Sequence, residues 1–355
     1  MQTQKGKLEL GREYPTPDEA SAIEAIEQMT RQQIEQNYQA GDRPARRDAH
    51  AKHHGCVQGE FIVETNLPEE MKVGVFKEPG KKFTACIRFS NASGNAAQPD
   101  TKGDGRGMAV KLLGVKGEKL IEDEKNTQDF ILVNHPVFLI RNLQDYVQFF
   151  AAIRAAKGTI PLKFFLPGFN PLKWRLQELI IARTIQSKKI VSPLEIQYWS
   201  MTPYKLGDRA IKFSAKPSAE NISGRQVSKS PNYLREAMVE HLNSKGATFD
   251  FLIQFQTDAE KMPIEDSSVE WKSPFYKVAT IKVPPQKFDS REQMEFCENL
   301  SYNPWHSLPE HQPLGNTNRA RKQIYESISQ LRHELNGVSK VEPTEEELFA
   351  LFGSK

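Results

Sequence analysis

Cysteine is scarce in this chain of 355 residues: there are three, Cys56, Cys86 and Cys297. An odd number with no C-x-x-C pair argues against a disulfide framework or a zinc ribbon and suits a reducing compartment. Charge of one sign is also lacking. A net charge of +3 at pH 7 argues against general nucleic-acid binding. No run of about 18 apolar residues occurs, so no membrane-spanning helix is expected. The opening MQTQKGKLELGREY has no apolar core of a secretory signal. These absences lead to the expectation of a cytoplasmic protein with no nucleic-acid partner. Internal repeats and low-complexity tracts are missing too. What remains is ordinary for a globular chain, 38% hydrophobic and 26% charged, and long enough for a sizeable core.

Residues 17–40, rich in Glu, Gln, Ala and Ile and followed by Gly41, predict a surface helix. From Glu60 the pattern becomes short β-rich runs, GEFIVE, MKVGVF, FTACIRFS, GMAVKLL and DFILVN, separated by Gly, Pro, Asn and Asp. Strands at this spacing predict an antiparallel sheet or barrel. Residues 143–156 return to helical periodicity. Further strands are expected at DRAIKFSAKP, FDFLIQFQT and YKVATIKVP, and the last 40 residues or so read as helical, with Gly337 placed to cap a helix. The segment 159–191 interleaves Phe, Leu, Ile and Trp174 with Lys and Arg and carries three prolines. It reads either as a helical arm packed on the domain or as an interfacial segment touching lipid or a lipid-like substrate.

RRDAHAKHHGCVQGEF, residues 46–61, places His50, His53 and His54 within five positions. On a helix they would share a face and could hold a metal. The Glu of H-E-x-x-H is missing, however, and Gly55 and Gly59 weaken a helix there. Judged alone, such histidines are more often satisfied or exposed side chains than ligands.

Four other segments change that reading. Arg47-x-x-His50-Ala51-Lys52 resembles the catalase pattern in which an Arg precedes the distal histidine by three residues. CIRFSNASG (86–94), DGRGMAVKL (104–112) and ILVNHPVFLIRN (131–142) resemble the family's R-F-S, D-x-R-G-(F/M)-A-V-K and N-x-P-x-F-x-I-R segments. ENLSYNPWHSLPEHQPLGNTNRARKQIYESISQLRH resembles the proximal haem segment, its R-x-x-x-Y being Arg321 to Tyr325, with Arg332 seven residues on. Five segments in family order identify the chain as resembling a compact catalase-related haem protein that lacks the long C-terminal portion.

The resemblance implies an α+β fold, an eight-stranded antiparallel β-barrel surrounded by helices. It divides the chain into an N-terminal helical arm (1–45), a haem-binding domain (46–337) with the amphipathic insertion 159–191, and a tail (338–355). It implies haem b (iron protoporphyrin IX), with Tyr325 as the axial ligand to the haem iron. A ligand tyrosine must be a phenolate, although a free phenol ionises near pH 10. Arg321, one helical turn earlier, would hydrogen-bond that oxygen and favour its anion. On the other face His50 would be the acid/base, Asn134 its polar companion and Ser90 its orienting partner. Arg47, Arg88 and Arg332 would bind the propionates, whose burial without partners would be costly. His53 and His54 would be bystanders.

The function implied is a haem-dependent peroxide-decomposing enzyme of catalase or peroxidase type, acting on hydrogen peroxide or organic hydroperoxides with a small organic electron donor. The match departs from the family at Ala49, Ala92 and Leu139, where larger residues are usual, and at His135 beside Asn134. More open space would admit bulkier hydroperoxides. A fatty-acid hydroperoxide isomerase or lyase is therefore the alternative, and a haem-binding redox sensor with little turnover is the third reading. Peripheral lipid contact through 159–191 and a monomeric or homodimeric state complete the expectations.

Overall fold

Alternation of apolar and polar residues from His53 onward builds a closed barrel, as a period of two requires when one face must be buried. The computed structural model describes residues 7–156 and 161–353. Residues 1–6, 159–160 and 354–355 of the expected arm, insertion and tail lie outside the described residues. The strands are β1 (His53–Val63), β2 (Lys82–Asn91), β3 (Arg106–Leu113), β4 (Thr127–Val133), β5 (Tyr198–Trp199), β6 (Tyr204–Leu206), β7 (Arg209–Pro217), β8 (Ala247–Phe255) and β9 (Phe275–Val283). All pairings are antiparallel, in the order β5-β4-β3-β2-β1-β9-β8-β7-β6, and β5 also pairs with β7. That last pairing closes an eight-stranded ring. β6 continues along the same edge of β7 after the bend at Met201, whose φ is 58°.

The barrel interior is filled with phenylalanine rather than left as a pore. Phe61, Phe130, Phe213 and Phe251 meet with ring centroids as close as 4.9 Å between Phe130 and Phe251 and 5.1 Å between Phe61 and Phe251. Such pairs add to the burial of large rings the favourable edge-on geometry of aromatics.

Helices cover the outside: α1 (Glu19–Gln39), α2 (Leu143–Ala155), α3 (Leu162–Phe165), α4 (Leu176–Ser187), α5 (Tyr233–Leu242), α6 (Arg291–Asn299), α7 (Asn316–Asn336) and α8 (Glu345–Phe352). The expected helices over 17–40 and 143–156 are α1 and α2. Gly337 caps α7 in the left-handed conformation, φ 63°, its N–H returning to the carbonyls of His333 and Glu334. α1, α2 and α7 form one apolar cluster through Ile26, Ile34, Leu143, Ile324, Ile328 and Leu331. None of the helices among the described residues is long and apolar enough to cross a membrane.

Two expectations fail. MKVGVF is not a strand but two short 3₁₀ turns, Glu69–Met71 and Gly74–Phe76. Gly74 sits at φ 56° against the His311 ring, where a Cβ would collide, and His311 Nε2 accepts a hydrogen bond from Val75 N–H at 2.9 Å. The turn is thus built around an imidazole far away in sequence, which apolar patterning does not reveal. Nor are the cysteines unpaired: Cys56 in β1 is disulfide-bonded to Cys297 in α6, with Cα atoms 5.4 Å apart, and Cys86 is the buried free thiol. Odd cysteine number argued against a framework; it could not see that β1 brings Cys56 beneath α6.

Candidate active site

Between the outer barrel wall and the helices α1, α2 and α7 lies a cavity of about 1320 Å³, mouth included. Its wall follows from the strand register. Ser90, Gly107 and Val133 lie across from one another on β2, β3 and β4, as do Arg88, Ala109 and Ile131. Their neighbours Phe89 and Phe130 point into the barrel, so these two rows point out. Glycine and alanine at the centre keep the wall flat. Facing it, Arg321, Tyr325, Ile328 and Arg332 form one stripe of α7, spaced by helical turns.

His50 enters from the loop before β1. Its backbone is left-handed, φ 59°, and its N–H donates to Ala92 O at 3.0 Å. Nδ1 lies 3.0 Å from Ser90 Oγ. Because a hydroxyl can donate or accept, either tautomer of the imidazole is served. Gly107 makes room for the ring: a Cβ there would lie 2.5 Å from His50 Nδ1 and 2.8 Å from Ser90 Oγ. We expect Gly107→Ala to displace His50 and to lower any His50-dependent turnover roughly tenfold or more, in line with the sensitivity of catalysis to misplacement of about 1 Å. Steady-state rates, with near-unchanged far-UV circular dichroism, check this. Burial first, then Arg88, Arg321 and Arg47, push the His50 pKa down to about 3, so the ring is neutral at ordinary pH.

Three of the expected arginines gather at one end of the cavity. Arg88 donates to His50 O at 2.9 Å, while its Nε is buried without a partner. Arg332 donates to Glu298 Oε1 at 3.1 Å and Arg47 to the same oxygen at 3.3 Å. Arg47 also reaches Leu300 O. Glu298 therefore holds two of the guanidiniums, and its carboxyl is kept far below the ordinary range: burial opposes this, but His53, Arg47 and Arg88 prevail. Positive charge remains in excess. Burial and Arg47 drive Arg88 well below its ordinary value and bring Arg332 down to about 9. A buried surplus of this kind favours an anionic occupant. At the other end Arg321 donates to Thr202 Oγ1 at 3.3 Å and Asn318 Oδ1 at 3.2 Å, its guanidinium 5.9 Å from the centre of the Tyr325 ring. Burial would depress Arg321, but Tyr325, Tyr204 and Tyr146 outweigh it and hold it above its ordinary value.

Of the eight expected site residues, His50, Ser90, Arg47, Arg88, Arg321, Tyr325 and Arg332 line this cavity and Asn134 does not. Asn134 is one residue beyond the wall residue Val133. Its Oδ1 accepts from Arg106 N–H at 2.7 Å, an interaction that holds the β3–β4 edge. Ala49 lines the cavity; Ala92 and Leu139 do not. His135 turns back on its own loop, Nδ1 3.1 Å from Val137 O.

The three clustered histidines do not converge, because β1 begins at His53 and no helix forms. His53 and His54 lie outside the cavity lining and are both buried, His53 against Glu298 at 3.3 Å and His54 against Asn91 Oδ1 at 2.9 Å. Asp48 was not foreseen. It lines the cavity beside His50, and burial raises its carboxyl above the ordinary value. Its place between Arg47 and His50 in the matched motif was the available signal. The one group of metal-ligating side chains found among the described residues, Glu124, Asp129 and His306, surrounds the Lys111 ammonium, which pairs with both carboxylates. A cation is already in place there.

The family model for catalase matches residues 19–161. Among curated proteins, a catalase of Latilactobacillus sakei is 35% identical over 101 residues, 28% of this chain and 19% of that protein. A catalase of Danio rerio is 37% identical over 101 residues, 28% of this chain and 17% of that protein. The matched stretch is thus about a fifth of those relatives' length. Among solved structures, catalase A from Saccharomyces cerevisiae superposes with a TM-score of 0.64 at 19% identity, covering 100% of this chain and 76% of that one. A fungal catalase gives 0.64 at 18% identity, covering 94% and 66%. The likeness of fold to catalases extends over the whole barrel and its helices, and the likeness of sequence to the catalase family is found over residues 19–161, α1 to α2.

Proposed function

We propose that this chain binds haem b in the cavity between the barrel wall and α7 and decomposes peroxide there. The observation that carries this reading is that His50 and Tyr325, from opposite ends of the sequence, open onto one cavity from opposite sides, with a cationic end at Arg47, Arg88 and Arg332. The residues fit the group. The wall is flat and largely apolar, the surplus buried positive charge suits two propionates, and the phenol of Tyr325 with Arg321 one turn away suits an anionic axial ligand. Haem, when bound, supplies the iron redox chemistry that peroxide decomposition requires.

The chain's own residues do the rest. His50, neutral and held through Nδ1 by Ser90, takes a proton from one peroxide oxygen and returns it to the other, so that the departing oxygen leaves uncharged. Asn134, whose Oδ1 is taken by Arg106 N–H and which does not line the cavity, is left out of this step. Arg321, one turn earlier on α7 and 5.9 Å from the centre of the Tyr325 ring, would stand beside the ligand. Arg47, Arg88 and Arg332 set the orientation of the carboxylates.

Haem reconstitution of the purified chain tests the assignment. We expect a tyrosinate-type absorption spectrum and catalytic peroxide consumption, with Tyr325→Phe losing that spectrum and most of the activity. An unchanged spectrum and rate in Tyr325→Phe would remove the ligand assignment. Ala49 and the apolar side of the cavity at Phe138 and Leu143 favour, as a second reading, fatty-acid hydroperoxides as substrates. Analysis of products from polyunsaturated hydroperoxides decides between rearrangement and simple decomposition.

A further inference from the structure

The segment from α3 through α4 leaves large apolar side chains in water. Phe169 is fully exposed, at 103%, and Leu172 nearly so, at 94%; Leu176 is half exposed and Ile180 more than half. Isolated exposed apolar residues need no explanation, but a contiguous group at the tip of one excursion does. The tip is built rather than loose: Trp174 Nε1 donates to Gly168 O at 3.1 Å, and Asn170 caps the turn Pro171–Lys173 by accepting from Leu172 N–H at 3.1 Å.

The charges around the tip have one sign. Lys163 and Lys173 beside it are exposed, and neither is in an ion pair among the described residues. The acidic groups nearby are spent: Glu178 is buried and paired with Arg141 and Arg175, and Asp145 is held by Arg175 at 2.7 Å. A groove alongside is lined by Lys163, Lys173 and Trp174. Apolar side chains at the tip, an indole beside them and a rim of bases are the arrangement that seats in the headgroup region of a bilayer.

We propose that the α3–α4 excursion docks the protein on an anionic membrane surface, Phe169 and Leu172 entering the acyl boundary and Lys163 and Lys173 meeting lipid phosphates and carboxylates. Charge complementarity selects this occupant, because a second copy of the chain would bring the same positive rim against itself. The docked face also adjoins the cavity. Phe164 and Phe165 under the tip pack on Phe149, and the same cluster includes Tyr146 and Phe138, which line the cavity. Docking is read without turnover, so it stands or falls separately from the peroxide reading.

Flotation of the full chain with vesicles tests it. We expect binding to vesicles of phosphatidylcholine with phosphatidylserine, weak binding to phosphatidylcholine alone, and release at high salt. Phe169→Asp with Leu172→Asp should lower the partition roughly tenfold or more, and Lys163→Gln with Lys173→Gln roughly fivefold per charge. These side chains are exposed, so unchanged melting temperatures confirm that the variants are folded. Failure of the wild type to bind anionic vesicles, or equal binding by the aspartate variant, overturns the proposal. So does a vesicle-independent dimer that the aspartate variant dissolves, which would make a second copy the occupant.

Discussion

Replacing His50 with asparagine is expected to lower kcat/KM for hydrogen peroxide by a factor on the order of 10²–10⁴, the usual contribution of a positioned acid/base, with haem still bound. Asparagine is the informative choice. His50 occupies the left-handed region at φ 59°, which asparagine tolerates better than most residues. The imidazole is neutral, its pKa pushed down to about 3 by burial and the neighbouring arginines, so the substitution removes no charge from the cavity. The cationic end at Arg47, Arg88 and Arg332 and the α7 stripe are untouched. Stopped-flow kinetics together with the absorption spectrum separate the two effects. A normal spectrum with a collapsed rate assigns the proton transfer to His50; a normal rate removes it from the reaction. Ser90→Ala should cost less, since the backbone of His50 stays anchored by its N–H to Ala92 O.

The legible part of this molecule is the part written in local chemistry. FTACIRFS and GMAVKLL became β2 and β3 because each side chain alternates between the phenylalanine-filled interior and the outer wall. The R-x-x-x-Y run became the cavity stripe of α7 because four residues make about one helical turn. Arg88 and Ser90 line the cavity for the first reason and Arg321, Tyr325 and Arg332 for the second, while Arg47 and His50 reach it from the loop before β1. The roles assigned to them remain proposals. What the sequence did not disclose depends on partners distant in the chain. MKVGVF reads as a strand until His311 is packed against Gly74. Cys56 reads as a free thiol until α6 sets Cys297 beside it. Glu298 carries no signal of its own, since a carboxylate near basic residues is commonplace; only the closing of α6 and α7 over the loop before β1 makes it a neighbour of Arg47, Arg88 and Arg332. His53 and His54 show the same limit, being adjacent in sequence and committed to different partners.

The burial that suits His50 to proton transfer should make the fold sensitive to acid. His50, His53 and His311 have pKa values lowered to about 3, 4 and 4, burial being the first cause in each, and His54 is lowered in the same way. The unfolded chain takes up protons at these positions below about pH 6.5, and the folded chain does not until far lower pH. Each such histidine therefore removes roughly 1.4 kcal/mol of stability per pH unit once the pH falls below 6.5. By pH 4.5 His50, His53 and His311 together remove on the order of 8 kcal/mol, comparable to the total stability of many domains at about 5–15 kcal/mol. His306 does not oppose this slope. Burial and Lys111 work against its charge, but Asp129 and Asp123 outweigh them and raise its pKa. Its contribution is therefore complete below pH 6.5 and is lost only as the pH rises through its folded value. The expected result is a melting temperature that is highest near neutrality and falls steeply between pH 6.5 and 4.5, with cooperative unfolding near the lower end. His311→Gln is the check on cause. Its amide oxygen can accept the Val75 N–H that His311 Nε2 now accepts at 2.9 Å, and glutamine does not titrate. The variant should then lose about a third of the slope attributed to the three histidines. A melting temperature unchanged from pH 7 to 4.5 would mean that these imidazoles are not held neutral, and the proton-transfer role of His50 would lose its physical basis along with them.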